Sequence, residues 1–187
     1  LRGYGAAGTL KYDDTFEPNV KGAAKAGLNC GAYFFSQAVT EQEAEEEAEI
    51  MLQMVKDSGV SFTYPLFIDY EGSGAPNSSG RGDKISTAQR TKVVKAFCEK
   101  IKAAGYYPGI YSGASWLNNQ LDMTQLSAYD VWVAQYNKSS GGSIAVSSGP
   151  SQYKKPYKIW QYTSEGKISG ISGNVDRNIG LFDYPTY

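Results

Sequence analysis

Two rhythms of apolar and polar residues alternate along the chain. Short apolar runs bounded by Gly, Ser, Asn or Pro predict strands, and longer runs with helical spacing and capping signals predict helices. "LRGYG" (1–5) reads as the end of a strand, followed by a Gly/Asp-rich loop. "PNVKGAAKAG" (18–27) predicts a short helix with Pro at its start and Gly at its end. "LNCGAYFFS" (28–36) predicts a strand. Thr40 opens "TEQE", a capping box with Glu43 three residues on, and its helix runs to about Lys56 before Gly59 stops it. "PLFIDYE" (65–71) predicts a strand, and 72–85 a polar Gly/Ser loop. A helix follows at about 86–104, with Ser86 as N-cap and Gly105 past its end. "YYPGIYS" (106–112) is a further strand, and 114–128 an irregular or weakly helical link. Strands are also expected at 130–136, 157–163 and 174–182, separated by a Ser/Gly loop at 138–152 and by a turn or short hairpin in "SEGKISGIS".

Strand and helix alternate through the first two-thirds, which predicts a parallel α/β sheet. The last third lacks helices of useful length. A modified or incomplete β/α barrel fits this order better than a doubly wound sheet. No linker divides the chain, so 1–187 is expected to be a single domain. No Gly-rich phosphate loop opens a helix, so nucleotide binding has little support.

The chemistry concentrates in "PLFIDYEG" (65–72). Asp69 and Glu71 close an otherwise apolar strand. Residues i and i+2 share a face, about 6.5–7 Å apart. Two acids there repel each other and lose hydration, which costs stability unless a function is gained. Such strand ends carry the sites of parallel α/β folds.

Composition removes most competing chemistry. The 187 residues are 41% hydrophobic and 20% charged, with a net charge of -1. No basic block favours nucleic acid, and no run approaches the about 20 apolar residues of a membrane span. No signal-peptide pattern is visible, and the chain opens without Met, so a mature product, fragment or trimmed form is expected. Histidine is absent. That excludes Ser–His–Asp and Cys–His catalysis and HExxH zinc sites; no metal or cofactor is expected. Cys30 and Cys98 read as two buried thiols, a single disulfide being the alternative. The acids at 41–49 read as a solvated helix face. "RGD" (81–83) reads as chance within a Gly/Ser loop.

Acid–base work therefore falls on Asp, Glu, Tyr, Lys or Cys, which raises the weight on Asp69 and Glu71. The other predicted strands end in aromatic and amide side chains: Tyr33 with Phe34 and Phe35, Tyr111, Trp132 with Gln135 and Tyr136, and Trp160 with Gln161 and Tyr162. Repeated at several strand ends, they resemble a sugar cleft. Flat rings stack on pyranose faces, while amides and carboxylates bond hydroxyls. Two acids in such a cleft suit glycoside hydrolysis. One keeps its proton and delivers it to the leaving oxygen, and the other supports the developing positive charge.

The ordered set "RGYG" (2–5), "GAYFFSQA" (31–38), "PLFIDYEG" (65–72), "GYYPGIYSGASWL" (105–117), "VWVAQYN" (131–137) and "IWQYTSEGKISGISGNVDRN" (159–178) resembles the glycoside hydrolase family 25 lysozymes, muramidases of the bacterial and phage cell-wall type. The resemblance covers nearly the whole chain. It implies an α/β fold, the modified TIM-like barrel of (β/α)5(β)3 type, and cleavage of the β-1,4 bond between N-acetylmuramic acid and N-acetylglucosamine. It implies Glu71 as general acid, Asp69 orienting the substrate acetamido group or stabilising charge, and Asp176 as a third acid. Tyr33, Tyr111, Trp132, Gln135, Trp160 and Gln161 are the implied substrate-binding residues; which faces of "VWVAQY" and "KIWQY" point inward is left open by spacing. The implied partner is a peptidoglycan glycan strand, outside the cell or in the wall.

Two departures stand out. Phe34 occupies a position where the family carries His. The family's first strand and helix, which supply another cleft aspartate, have no counterpart, so the barrel is expected to be truncated at its N-terminus. Seven strands are visible. The chain is expected to be a monomer unless a partner chain fills the gap. A catalytically inactive glycan-binding barrel and a chitinase-like hexosaminidase are the competing readings.

Overall fold

The computed structural model describes residues 2–4, 10–78, 80–136 and 149–184. Leu1, Gly5 of "RGYG", Asn137 and most of the expected 138–152 loop lie outside the described residues. The element order is β1 (Arg2–Tyr4), β2 (Leu10–Lys11), α1 (Phe16–Lys25), β3 (Cys30–Phe35), α2 (Glu41–Ser58), β4 (Phe62–Asp69), α3 (Thr87–Ala103), β5 (Pro108–Gly113), α4 (Ala114–Asn119), β6 (Asp130–Ala134), β7 (Ile159–Gly166) and β8 (Val175–Gly180).

One eight-stranded sheet runs in the order β2-β1-β3-β4-β5-β6-β7-β8. Neighbours from β1 to β7 are parallel, while β2 and β8 are antiparallel to their partners at the two ends. The parallel strands curl into a half-barrel, the modified TIM-like fold. Among the described residues, four strand–helix units precede three strands without intervening helices. This is the helix-poor last third that the sequence predicts. The eighth strand is Leu10–Lys11, inside the stretch expected to be loop; two residues are too few to carry a period-2 signal.

Local chemistry explains the helix limits. Thr40 Oγ1 accepts from the Glu43 N–H at 3.2 Å. The Glu43 carboxylate reaches back to the Val39 N–H at 2.8 Å, one residue before the cap. Gly59 ends α2 at φ 65°, a left-handed conformation that costs a residue without Cβ little. Ser86 caps α3 by accepting from Gln89 N–H at 3.2 Å. Helix α1 starts two residues ahead of Pro18, which sits in its first turn, where a missing N–H costs nothing.

The central strand β4 is buried on both faces from Pro65 to Asp69. Phe34, Leu66, Ile68, Ile110 and Val133 face α2 and α3, packing with Met51, Val55, Val93 and Phe97. Each such side chain contributes about 1.5–3 kcal/mol when fully buried. The inner face is smaller and aromatic: Phe67, Ile159 and Tyr184 with Tyr64, Tyr111, Trp132 and Phe182. Double burial is why β4 reads as a continuous apolar run. The acidic face of α2 is exposed at Glu41, Glu45 and Glu49, as the sequence predicts, with Glu47 the exception. Glu47 is fully buried, Glu43 pairs with Arg81 at 2.6 Å, and Glu49 pairs with Lys100. Both cysteines are free and buried.

Candidate active site

Asp69 is the last residue of β4, and Glu71 lies two residues beyond. Neighbouring strands hold this backbone. Ser36 N–H donates to Asp69 O at 2.9 Å and Tyr70 N–H to Tyr111 O at 3.1 Å. Ser112 Oγ donates to Tyr70 O at 2.7 Å, and Gln37 Nε2 to Glu71 O at 3.3 Å. Tyr70 turns the other way, fully buried, with its O–H donating to Ala38 O at 2.7 Å. Strand alternation therefore continues past the end of β4, and both acids face the inner side.

They meet a pocket of about 190 Å³ lined by Tyr33, Asp69, Glu71, Tyr111, Trp132, Gln161 and Asp176. The contributing strands are β3, β4, β5, β6, β7 and β8. A larger cavity of about 340 Å³ lies beside α1 and the start of β3. Among the described residues it is lined by one acid, Asp13, with mostly apolar and amide side chains, so size does not pick out the chemistry.

Trp132 anchors the floor. Its indole N–H donates to Asn178 Oδ1 at 2.9 Å. Its ring stands edge-on to Tyr111 and Phe67, at centroid distances of 4.8 and 5.3 Å. Tyr33, 49% exposed, stands 6.3 Å from it at the rim. Tyr111 O–H donates to Gln161 Oε1 at 2.9 Å, and Gln161 Nε2 donates to Asp176 Oδ2 at 3.3 Å.

Register decides the faces that spacing leaves open. Tyr111 pairs with Trp132, Val133 with Trp160, and Ala134 with Gln161. Trp132 and Gln161 thus point inward, and Trp160 points with Val133 into the helix-facing core, 2% exposed. Trp160 and Gln135 do not line the pocket. The Trp160 indole N–H donates to Gln135 O at 2.8 Å. The Gln135 side chain donates to Ser151 Oγ and accepts from Gln152 N–H, bracing that loop. Phe34, the family's His position, is fully buried 6.2 Å from the Phe97 ring, so that substitution falls on the core and not on the pocket. Tyr136, one of the aromatic residues expected at the strand ends, supports the pocket by donating its O–H to Gln161 at 2.7 Å; Asn178, which holds Trp132, was not expected. Asn178 follows Asp176 by two residues on one strand face, a signal present in "NVDRN".

Burial shapes the electrostatics. Asp69 is 6% exposed, and burial, then the Glu71 charge, push its pKa up to about 8. Its Oδ1 has no hydrogen-bond partner among the described residues. Glu71, less buried, is also raised by burial. Two raised carboxyls two residues apart on one face titrate as a coupled pair, and Asp69, raised to about 8, holds its proton at neutral pH. The larger push falls on Asp69, not on Glu71.

The "RGD" segment closes the loop beside the acids. Arg81 pairs with Glu43, Gly82 N–H donates to Gln37 Oε1 at 3.2 Å, and Asp83 accepts from the N–H groups of Ser73 and Gly80 at 3.0 and 2.9 Å. Arg90, 1% exposed, donates to Gly82 O and Ile85 O and stacks on Trp116, whose ring packs on Gly72. Each residue of the tripeptide is used in folding.

Residues 5–171 match the sequence model of "Glycosyl hydrolases family 25". The chain is 30% identical over 174 residues to the uncharacterized protein YegX of Escherichia coli K12, covering 92% of this chain and 55% of YegX. It is 29% identical over 178 residues to Lysozyme M1 of Streptomyces globisporus, covering 91% and 56%. The modular autolysin LytC of Streptococcus pneumoniae superposes with a TM-score of 0.72 at 28% identity, covering 90% of this chain and 37% of LytC. The chain thus spans about half the length of the curated relatives it matches.

Proposed function

The chain belongs to glycosyl hydrolases family 25, and from that premise we propose that it is a peptidoglycan hydrolase, an N-acetylmuramidase that cleaves the β-1,4 bond between N-acetylmuramic acid and N-acetylglucosamine in the cell wall. One observation carries this reading: three carboxyls share a pocket with Tyr33, Tyr111 and Trp132 at the carboxyl ends of the parallel strands. The aromatic edges and faces give a pyranose an apolar seat. The carboxyls supply both halves of glycosidic cleavage.

Glu71 is the general acid. It lies past the strand end and is less buried than Asp69, where a glycosidic oxygen reaches it first. Asp69 keeps its own proton and turns it toward the substrate acetamido group; the proton that Glu71 delivers is a second one, held more tightly as the glycan binds. A glycan filling the pocket removes water from Glu71 and raises its proton affinity further. Asp176 faces the same space from β8 and supports positive charge at the anomeric carbon.

The higher pKa of Asp69 favours a second assignment, with Asp69 as proton donor. An aryl glycoside whose phenolate leaves without protonation separates the two. We expect Glu71→Gln to fail on peptidoglycan and to recover turnover on the activated glycoside. Recovery by Asp69→Asn alone would exchange the roles. Glycan binding without turnover on either substrate would favour an inactive binding barrel, and cleavage of chitin but not of walls a hexosaminidase.

A further inference from the structure

Gln161 is 3% exposed, and its amide oxygen is fully committed inside the pocket. Its Oε1 accepts from the Tyr111 O–H at 2.9 Å and from the Tyr136 O–H at 2.7 Å. An amide oxygen has two lone pairs, and both are taken. Its Nε2 is thereby turned toward Asp176 Oδ2, at 3.3 Å. With the amide reversed, the two phenol oxygens could accept from the NH2, but the Asp176 carboxylate would face a carbonyl oxygen, so the carboxylate decides the orientation. Three elements meet at this amide: Tyr111 on β5, Tyr136 just past β6, and Asp176 on β8.

Asp176 needs such help. It is exposed, and β8 is the end strand of the sheet, paired on one side to β7. An exposed carboxylate there has several rotamers open to it. We propose that Gln161 is a positioning residue and not a substrate ligand: locked by the two phenols, it presents an N–H that holds Asp176 Oδ2 and leaves Oδ1 for the glycan. The inference rests on reading this pocket as the site of glycan cleavage. It replaces the substrate-binding role that the sequence alone gives Gln161.

Two measurements test it. The first needs no turnover: the side-chain NH2 resonances of ¹⁵N-labelled Gln161. They should move on Asp176→Asn and move again on Tyr111→Phe/Tyr136→Phe. The second is kinetics on a soluble disaccharide-repeat wall fragment, with its affinity measured separately. Gln161→Glu keeps an acceptor for both phenols but sets a like charge against Asp176; Gln161→Met removes both functions. For both variants kcat should fall about tenfold to a hundredfold, as for a misplaced catalytic group. KM and the glycan Kd should stay within about twofold, because uniform binding is untouched. The double Tyr→Phe variant should show the same split, and Tyr136→Phe alone a smaller one. The proposal is overturned if affinity falls in step with turnover, since Gln161 then binds glycan. It is equally overturned if the NH2 resonances ignore Asp176→Asn. A parent chain that cleaves no wall glycan refutes the hydrolase reading, and the resonances still decide whether the amide holds Asp176.

Discussion

Asp69 carries the cost of the site. Its folded pKa, about 8, stands above the ordinary 3.8. The folded state therefore holds more protons than the unfolded one between those values. Stability is full below the unfolded value and is lost as pH rises through the folded one. Asp69→Asn removes the titration. The melting temperature of the variant should match the parent's near pH 4 and exceed it by several degrees near pH 8. Parallel melting curves at both pH values would remove the electrostatic penalty from the account. The acidic pair was legible in the sequence because two charges interrupt an apolar run. Which of them holds the proton was not, since burial depth depends on β3 and β5.

At the scale of elements, strand register and loop anchoring place the site. A Cβ on Gly109 would lie 2.2 Å from the Phe67 ring, which itself supports Trp132. Gly109→Ala should displace both rings and lower glycan affinity as well as stability, by about 1–3 kcal/mol for overpacking; titration calorimetry and denaturant melts check it. Arg90 ties the loop after Glu71 to α3. Arg90→Met leaves Gly82 O and Ile85 O without their charged donor and should cost about 2–4 kcal/mol. Turnover should fall in the surviving folded fraction as Glu71 loses its support. Unchanged kcat in that fraction would make the loop irrelevant to catalysis. The caps at Thr40 and Ser86 were legible, because their signals are local. The direction of Trp160 was not: only its pairing with Val133 sends it outward while Gln161 turns in.

For the whole molecule, six strand ends converge on one pocket, so its behaviour reports the assembled half-barrel. With no histidine, the pH–rate profile belongs to carboxyls. Turnover should fall as pH rises toward about 8, where Asp69 gives up its proton. It should also fall in acid, as the carboxylates that support positive charge take up protons. A profile flat to well above that value would detach catalysis from the pair. The alternation of strands and helices and the helix-poor last third reveal the architecture in sequence. Long-range partnerships such as Trp132 with Asn178, or Gln161 with Tyr136, carry no such local mark. The most direct test of the central claim is the new reducing end. Purified peptidoglycan is digested with the chain and with Glu71→Gln, reduced with borohydride, and the fragments are weighed by mass spectrometry. The account predicts muramitol-ended fragments from the parent and none from the variant. N-acetylglucosaminitol ends, or fragments released equally by both, would contradict it.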